Sequence, residues 1–140
     1  MNQGVIHACS ATVMSVSHTQ RSPACHAHSH GSGCTAGNRK AIEENARGID
    51  TIACVAVNDV FVMNAWGKDQ NVGADVVMLA DGNGAFAKAI GLEMDGSKFG
   101  MGSRSQRYSM IVEDGVVKQL NVEKPGEFNV SSADYMMGQL

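Results

Sequence analysis

Three features of the 140-residue sequence predict an α/β fold with a mixed sheet and helices on both faces of that sheet. Short apolar runs alternate with helix-forming segments in the middle of the chain, as in proteins whose parallel strands are joined by helices. Asp114 and Gly115 separate two later apolar runs, and this dipeptide is a strong signal for a tight antiparallel hairpin. The last ten residues have the composition of a helix. One sheet would therefore combine parallel and antiparallel strands.

The first regular elements begin at Asn38. This residue is a good N-cap, strong helix formers follow it, and Gly48 is suited to end the helix. Residues 51–57 form a β-branched apolar run, which predicts a buried strand. Two turn-forming residues then precede residues 60–68, where large side chains recur at near-helical spacing. The pattern indicates a helix, a strand and a second helix in succession.

A second strand and a third helix are predicted further along the chain. Residues 75–80 form another apolar run, which we interpret as a buried strand parallel to the first. A turn rich in Gly and Asn follows, and residues 85–92 predict a short helix. Residues 93–104 contain several glycines and predict a loop.

The predicted element order ends with the hairpin and a helix capped by Ser131 or Ser132. Residues 108–113 and 116–122 are the apolar runs that flank the hairpin turn. A thioredoxin-like layout has this order of elements. A small flavodoxin-like fold is the main alternative, but it has no place for a terminal hairpin.

Composition argues against several classes of partner. The formal net charge is −3 and the isoelectric point is about 5.9, whereas a nucleic-acid partner requires a basic patch. No apolar run approaches the roughly 20 residues that a membrane helix needs. The first 18 residues lack the basic flank and apolar stretch of a secretory signal. Because four cysteines do not force a disulfide framework, we expect a reducing, cytoplasmic compartment.

The beginning of the chain differs in chemistry from the remainder. All five His residues lie within the first 30 positions and three of the four Cys within the first 34, whereas the first aromatic residue is Phe61. Residues 9–16 could form a short strand, and the segment after them is typical of a loop. We therefore predict a divergent or partly disordered segment over 1–37 and a folded domain over 38–140.

Three segments in this order resemble peroxiredoxins of the Prx5 type. They read CVAVNDVFVMNAWGKDQ, VVMLADGNGAFAKAIGL and RSQRYSMIVEDGVVKQLNVEKPGEF, and the similarity extends over about residues 38–140. The resemblance implies a thioredoxin-like fold and a thiol peroxidase that reduces hydrogen peroxide and alkyl hydroperoxides. It also implies a homodimer, reduction by glutathione, glutaredoxin or thioredoxin, and no need for a metal or organic cofactor.

The resemblance also indicates three site residues. Cys25 would be the peroxidatic cysteine and would lie within the divergent segment, near the start of a helix whose N–H groups favour a thiolate. Arg107 would stabilise that thiolate and polarise the peroxide. Ser22 would donate a hydrogen bond from its hydroxyl, and Pro23 would shield the sulfur. Arg104 is a second, weaker candidate for the active-site arginine.

The other cysteines suggest different roles. Cys54 lies in an apolar run and is interpreted as a buried small hydrophobe. Cys34 could resolve a sulfenic acid, but the family pattern places no resolving cysteine there, and Cys9 has no supporting context. A one-cysteine cycle reduced by an external thiol is therefore the leading hypothesis.

Two alternatives to this hypothesis also fit the sequence. Residues 18–34 lack most of the family's sequence around the cysteine, which would suit a peroxiredoxin-fold dimerising or binding module with impaired catalysis. Cysteine and histidine are also good ligands for zinc or copper, although their spacing here matches no standard structural zinc site. The residues of that possible metal cluster are Cys25, His26, His28, His30 and Cys34.

Overall fold

The computed structural model describes residues 3–7 and 49–139. Seven strands, three helices and one 3₁₀ turn are present in these ranges. They are β1 (Gln3–His7), β2 (Ile49–Ala56), α1 (Val60–Asp69), β3 (Val77–Ala80), α2 (Ala85–Ala89), β4 (Glu93–Asp95), the 3₁₀ turn Ser97–Phe99, β5 (Ser103–Ser105), β6 (Tyr108–Glu113), β7 (Val116–Val122) and α3 (Ala133–Met137). The helix predicted from Asn38 and the strand predicted over 9–16 lie outside the described residues.

Five of the strands form one mixed sheet in the order β3-β2-β1-β6-β7. β1 pairs with β2 and β2 with β3 in parallel, whereas β6 runs antiparallel to both β1 and β7. The predicted α/β class with a mixed sheet is thereby confirmed. Strand β1 has no counterpart in the sequence-based prediction, because its two large apolar residues are adjacent and give no alternation.

Helices α1 and α3 lie against the same face of the sheet. Strand register places Cys54, Met78 and Ser109 on one face, because partners across a ladder point to the same side. A Cβ added at Gly67 of α1 would lie 3.1 Å from the Met78 side chain, and the Ser109 hydroxyl lies 2.9 Å from the Met136 sulfur of α3.

The core is centred on strands β2 and β6, whose side chains are almost all buried on both faces. It includes Ile52, Tyr108, Met110 and Met136. The prediction that residues 75–80 form a buried strand is wrong in its burial, since β3 is an edge strand of the described sheet. Val77 remains 44% exposed, because an apolar run alone does not distinguish an edge strand from a central one.

The prediction of a loop over 93–104 also needs correction. β4 and β5 form a separate two-stranded antiparallel sheet, closed by the 3₁₀ turn between them. The backbone N–H of Gly96 donates to the Gly102 carbonyl at 2.7 Å. A Cβ at Gly96 would lie only 2.9 Å from that oxygen, so the close approach requires glycine.

Local capping and turn signals account well for the remaining elements. The Asp59 carboxylate caps α1 by accepting from the Val62 N–H at 2.8 Å, and the Ser132 hydroxyl caps α3 by accepting from the Tyr135 N–H at 3.3 Å. Asp114 and Gly115 adopt φ angles of 51° and 77°, the left-handed values that a two-residue hairpin turn requires. The predicted hairpin and the Ser132 cap are confirmed.

Candidate functional site

Arg107 stands immediately before β6, at the edge of the five-stranded sheet where the parallel strands end. The pairing of Ile6 with Met110 places the start of β6 beside the carboxyl end of β1. β2 runs parallel to β1 and ends at the same edge. Binding and catalytic groups of open α/β sheets lie outside the carboxyl ends of the strands. The predicted site residue Arg107 therefore lies where this class of sheet usually carries its site.

Arg107 contacts the segment that follows β7 at two places. Its carbonyl oxygen accepts a hydrogen bond of 2.9 Å from the Glu123 backbone N–H. Its guanidinium carbon lies 4.9 Å from the centre of the Phe128 ring, within the range of a cation–π interaction. The residue is half-buried. The backbone and the charged end of Arg107 are thus both in contact with the segment that follows β7.

Glu123 is a buried carboxylate at the beginning of that segment. Its Oε1 accepts from the backbone N–H groups of Asn129 and Ser131 at 2.6 and 2.7 Å, and from the Ser131 hydroxyl at 2.8 Å. Burial acts to raise the pKa of Glu123. The hydrogen bonds from Ser131 and from the Asn129 and Val130 backbone outweigh that effect and hold the pKa below its ordinary value. The group therefore stays ionised at neutral pH.

A second polar cluster ties α3 to the sheet below this segment. The Ser109 hydroxyl lies 3.1 Å from the Val130 carbonyl, and Asn121 Nδ2 donates to that hydroxyl at 3.2 Å. The same Nδ2 lies 2.9 Å from Gln139 Oε1. Strands β6 and β7 thus contact Val130, which precedes α3, and Gln139, which follows it.

Arg104, the weaker candidate, has a different environment. Its Nη1 donates to the Val57 carbonyl, just beyond the end of β2. This contact joins the small sheet to the large one across a long separation in sequence. Arg104 therefore links the two sheets, whereas Arg107 lies at the carboxyl edge of the large sheet.

The remaining predicted site residues lie outside the described residues. This applies to Cys25 and Ser22, and equally to Pro23, Cys9 and Cys34. The possible metal cluster Cys25, His26, His28, His30 and Cys34 lies there as well. Cys54 is 6% exposed within β2, as expected of a small buried hydrophobe. Among residues 3–7 and 49–139, no three Cys, His or acidic side chains are placed to hold a metal ion.

Arg107 was a candidate site residue from the sequence, whereas its neighbours Glu123 and Phe128 were not. Glu123 is a single acidic residue after a strand, and its burial depends on a turn that closes eight residues later. No local pattern distinguishes such a carboxylate from a solvated one.

In the part of the chain described, no helix is long and apolar enough to cross a membrane.

This geometry defines a class of protein: a thioredoxin-like α/β fold with an arginine at the carboxyl edge of its sheet. The Redoxin family model matches residues 11–137. Peroxiredoxin-2E, a chloroplastic protein of Arabidopsis thaliana, is 48% identical over 103 residues, or 72% of this chain and 44% of that protein. Peroxiredoxin-2B of the same plant is 45% identical over 101 residues, which cover 72% of this chain and 62% of that protein.

Solved structures give the same result. Reduced Prx3 from Vibrio vulnificus in complex with H₂O₂ is 51% identical with a TM-score of 0.72, covering 76% of this chain and 68% of that one. Oxidized Prx3 from that organism is 43% identical with a TM-score of 0.75, covering 99% and 80%. The chain belongs to the peroxiredoxins, within the Redoxin family. It spans 44% and 62% of the length of these two curated relatives.

Proposed function

We propose that this protein is a thiol peroxidase that reduces hydrogen peroxide and small alkyl hydroperoxides through Cys25. The observation that carries the proposal is the position of Arg107 at the carboxyl end of β1. The chain leaves β1 at this same edge on its way to Cys25. Family membership adds support, as does the binding of H₂O₂ by the related Prx3.

In the proposed reaction the Cys25 thiolate attacks the terminal oxygen of the hydroperoxide. An S–O bond forms and the O–O bond breaks, so that sulfur is oxidised to a sulfenic acid and the peroxide is reduced. The leaving oxygen takes a proton and departs as water or alcohol. Arg107 would stabilise the thiolate before attack and the negative charge that develops on the leaving oxygen. Ser22 would donate a hydrogen bond to the thiolate or to the peroxide oxygen.

An external thiol would complete the cycle. It condenses with the sulfenic acid to give a mixed disulfide and water, and a second thiol then releases Cys25 as a disulfide forms between the two reductant sulfurs. Glutathione, glutaredoxin and thioredoxin are the reductant classes included in the proposal. No metal or organic cofactor takes part in it.

The proposal also includes a homodimer and a reducing, cytoplasmic environment. Phe61 and Phe99 are 81% and 79% exposed in the single chain, and two phenyl rings so little covered are candidates for a subunit contact. A reducing compartment would keep Cys25 available as a thiolate between turnovers. The related proteins named for chloroplasts show that family members also work elsewhere.

Peroxide consumption by the purified full chain tests the proposed function. It should be measured with glutathione plus glutaredoxin and, separately, with thioredoxin and its reductase. We expect turnover with at least one system, its loss in Cys25→Ser, and its retention in the matched variant Cys34→Ser. Loss in both variants would refute the one-cysteine cycle. A folded wild-type protein without turnover would favour the alternative of a binding module on a peroxiredoxin fold.

A further inference from the structure

We propose that Glu123 is a positioning residue for Arg107, acting through the turn that carries Phe128. The proposal concerns the placement of the Arg107 guanidinium. Only its consequence for peroxide reduction rests on the proposed function.

The Glu123 carboxylate is buried. The residue is 8% exposed, and a buried carboxylate persists only when it is well hydrogen-bonded. Three hydrogen bonds to its Oε1 come from Asn129 and Ser131, immediately beyond Phe128. The carboxylate therefore fixes the backbone of this short segment relative to the end of β7.

The position of the Phe128 ring depends on that backbone. The side chain is 56% exposed, so burial in the core does not determine where the ring lies. The position of the ring must therefore follow largely from the turn that carries it. The Glu123 carboxylate is hydrogen-bonded to the part of that turn that lies beyond Phe128. The ring nevertheless lies 4.9 Å from the Arg107 guanidinium carbon.

Glu123 also contacts the backbone of Arg107. Its backbone N–H donates to the Arg107 carbonyl at 2.9 Å. One residue thus contacts the arginine backbone directly and orders the aromatic ring against which the guanidinium lies. An arginine side chain has many rotamers, so ordering from both ends would reduce the entropy lost when it meets a substrate.

A purely structural role for Glu123 would stabilise the fold without affecting the Arg107 side chain. A measurement on the guanidinium itself distinguishes the structural role from the positioning role. The ring current of Phe128 should shift the Arg107 Nε–H signal in ¹H–¹⁵N spectra of the full chain, with Arg107→Lys used for assignment. This measurement does not require any peroxidase activity.

We expect Phe128→Leu to move the Arg107 Nε–H signal and Glu123→Ala to move it in the same direction. Glu123→Gln, which keeps an acceptor oxygen, should produce a smaller shift. The matched control is Glu127→Gln, because Glu127 is an exposed carboxylate of the same segment whose Oε2 accepts from the Asn129 side chain at 3.3 Å. That control should leave the signal in place.

The proposal is overturned if folded Glu123→Ala leaves the Arg107 signal at its wild-type position, or if Phe128→Leu fails to move it. Should Glu123→Ala not fold, Ser131→Ala removes a single donor to the carboxylate. A small shift in the same direction is then expected, and an unchanged signal overturns the proposal.

Peroxide kinetics on the same variants give the functional consequence. Loss of an exposed cation–π contact corresponds to about a two- to fivefold fall in kcat/KM for peroxide. We expect this fall in Phe128→Leu and Glu123→Ala and not in Glu127→Gln. If the wild-type protein shows no turnover, the proposed function fails, while the spectra still decide whether Glu123 positions Arg107.

Discussion

At the scale of single residues, Arg107 and Glu123 show how differently two charged side chains relate to sequence. Arg107 was predicted because its neighbours resemble a family motif, and the structure places it at the carboxyl edge of the sheet. The buried environment of Glu123 could not be predicted, since it arises from hydrogen bonds to residues six and eight positions later. Contacts of this kind depend on the closed turn and leave no local signature.

Replacing Arg107 by lysine tests the role proposed for this arginine. Lysine keeps the positive charge but loses the planar fork that can contact a thiolate and a peroxide oxygen together. We expect kcat/KM for peroxide to fall by about 100-fold, which is typical of losing one donor to a developing anion.

Arg104→Lys is the matched control for Arg107→Lys. Arg104 is hydrogen-bonded to the Val57 carbonyl, so this change should lower the thermal midpoint and leave turnover per folded molecule close to wild type. Equal losses of activity in the two variants would contradict the assignment of roles.

Glu123 should also contribute to the acid stability of the fold. Its pKa lies below the ordinary value of 4.5 in the folded chain, so its contribution is fully present above the unfolded-state pKa. It is lost as the pH falls through the folded-state pKa. Glu123→Gln should therefore lower the thermal midpoint at pH 7 and flatten its decline as the pH falls below 4.5. A decline as steep as that of the wild type would show that another group is responsible.

At the scale of elements, the sequence predicted best where local chemistry decides the structure. The Asp114–Gly115 hairpin, the Ser132 cap and the helix at Val60–Asp69 each follow from residues within a few positions. β4 and β5 were missed because three-residue strands in a glycine-rich segment give no periodicity. Their pairing depends on a close backbone approach instead.

Gly96→Ala tests that close approach between β4 and β5. The new Cβ would lie 2.9 Å from the Gly102 carbonyl oxygen, and crowding of this kind costs about 1–3 kcal/mol. Urea unfolding should show the loss. Gly82→Ala is the control, because its nearest contact would be an ordinary 3.6 Å. Similar stability of the two variants would show that the small sheet tolerates a wider separation.

At the scale of the whole molecule, the mixed sheet brings distant parts of the chain to one edge. The parallel strands β1 and β2 end there, and the antiparallel strand β6 begins there with Arg107 before it. The α/β class and the order of the later strands could be predicted from apolar runs and the hairpin turn. The position of β3 at the edge of the described sheet could not, because strand order depends on long-range pairing that an apolar run does not encode.

The central claim is that Cys25 becomes a sulfenic acid when the protein meets peroxide. The most direct measurement is mass spectrometry of the full chain after one equivalent of hydrogen peroxide in the presence of a sulfenate-trapping dione. We expect the adduct on the peptide containing Cys25, less of it in Arg107→Lys at short times, and none at this position in Cys25→Ser. A folded protein that consumes peroxide without an adduct at Cys25, or that carries the adduct at Cys34 instead, would contradict the claim.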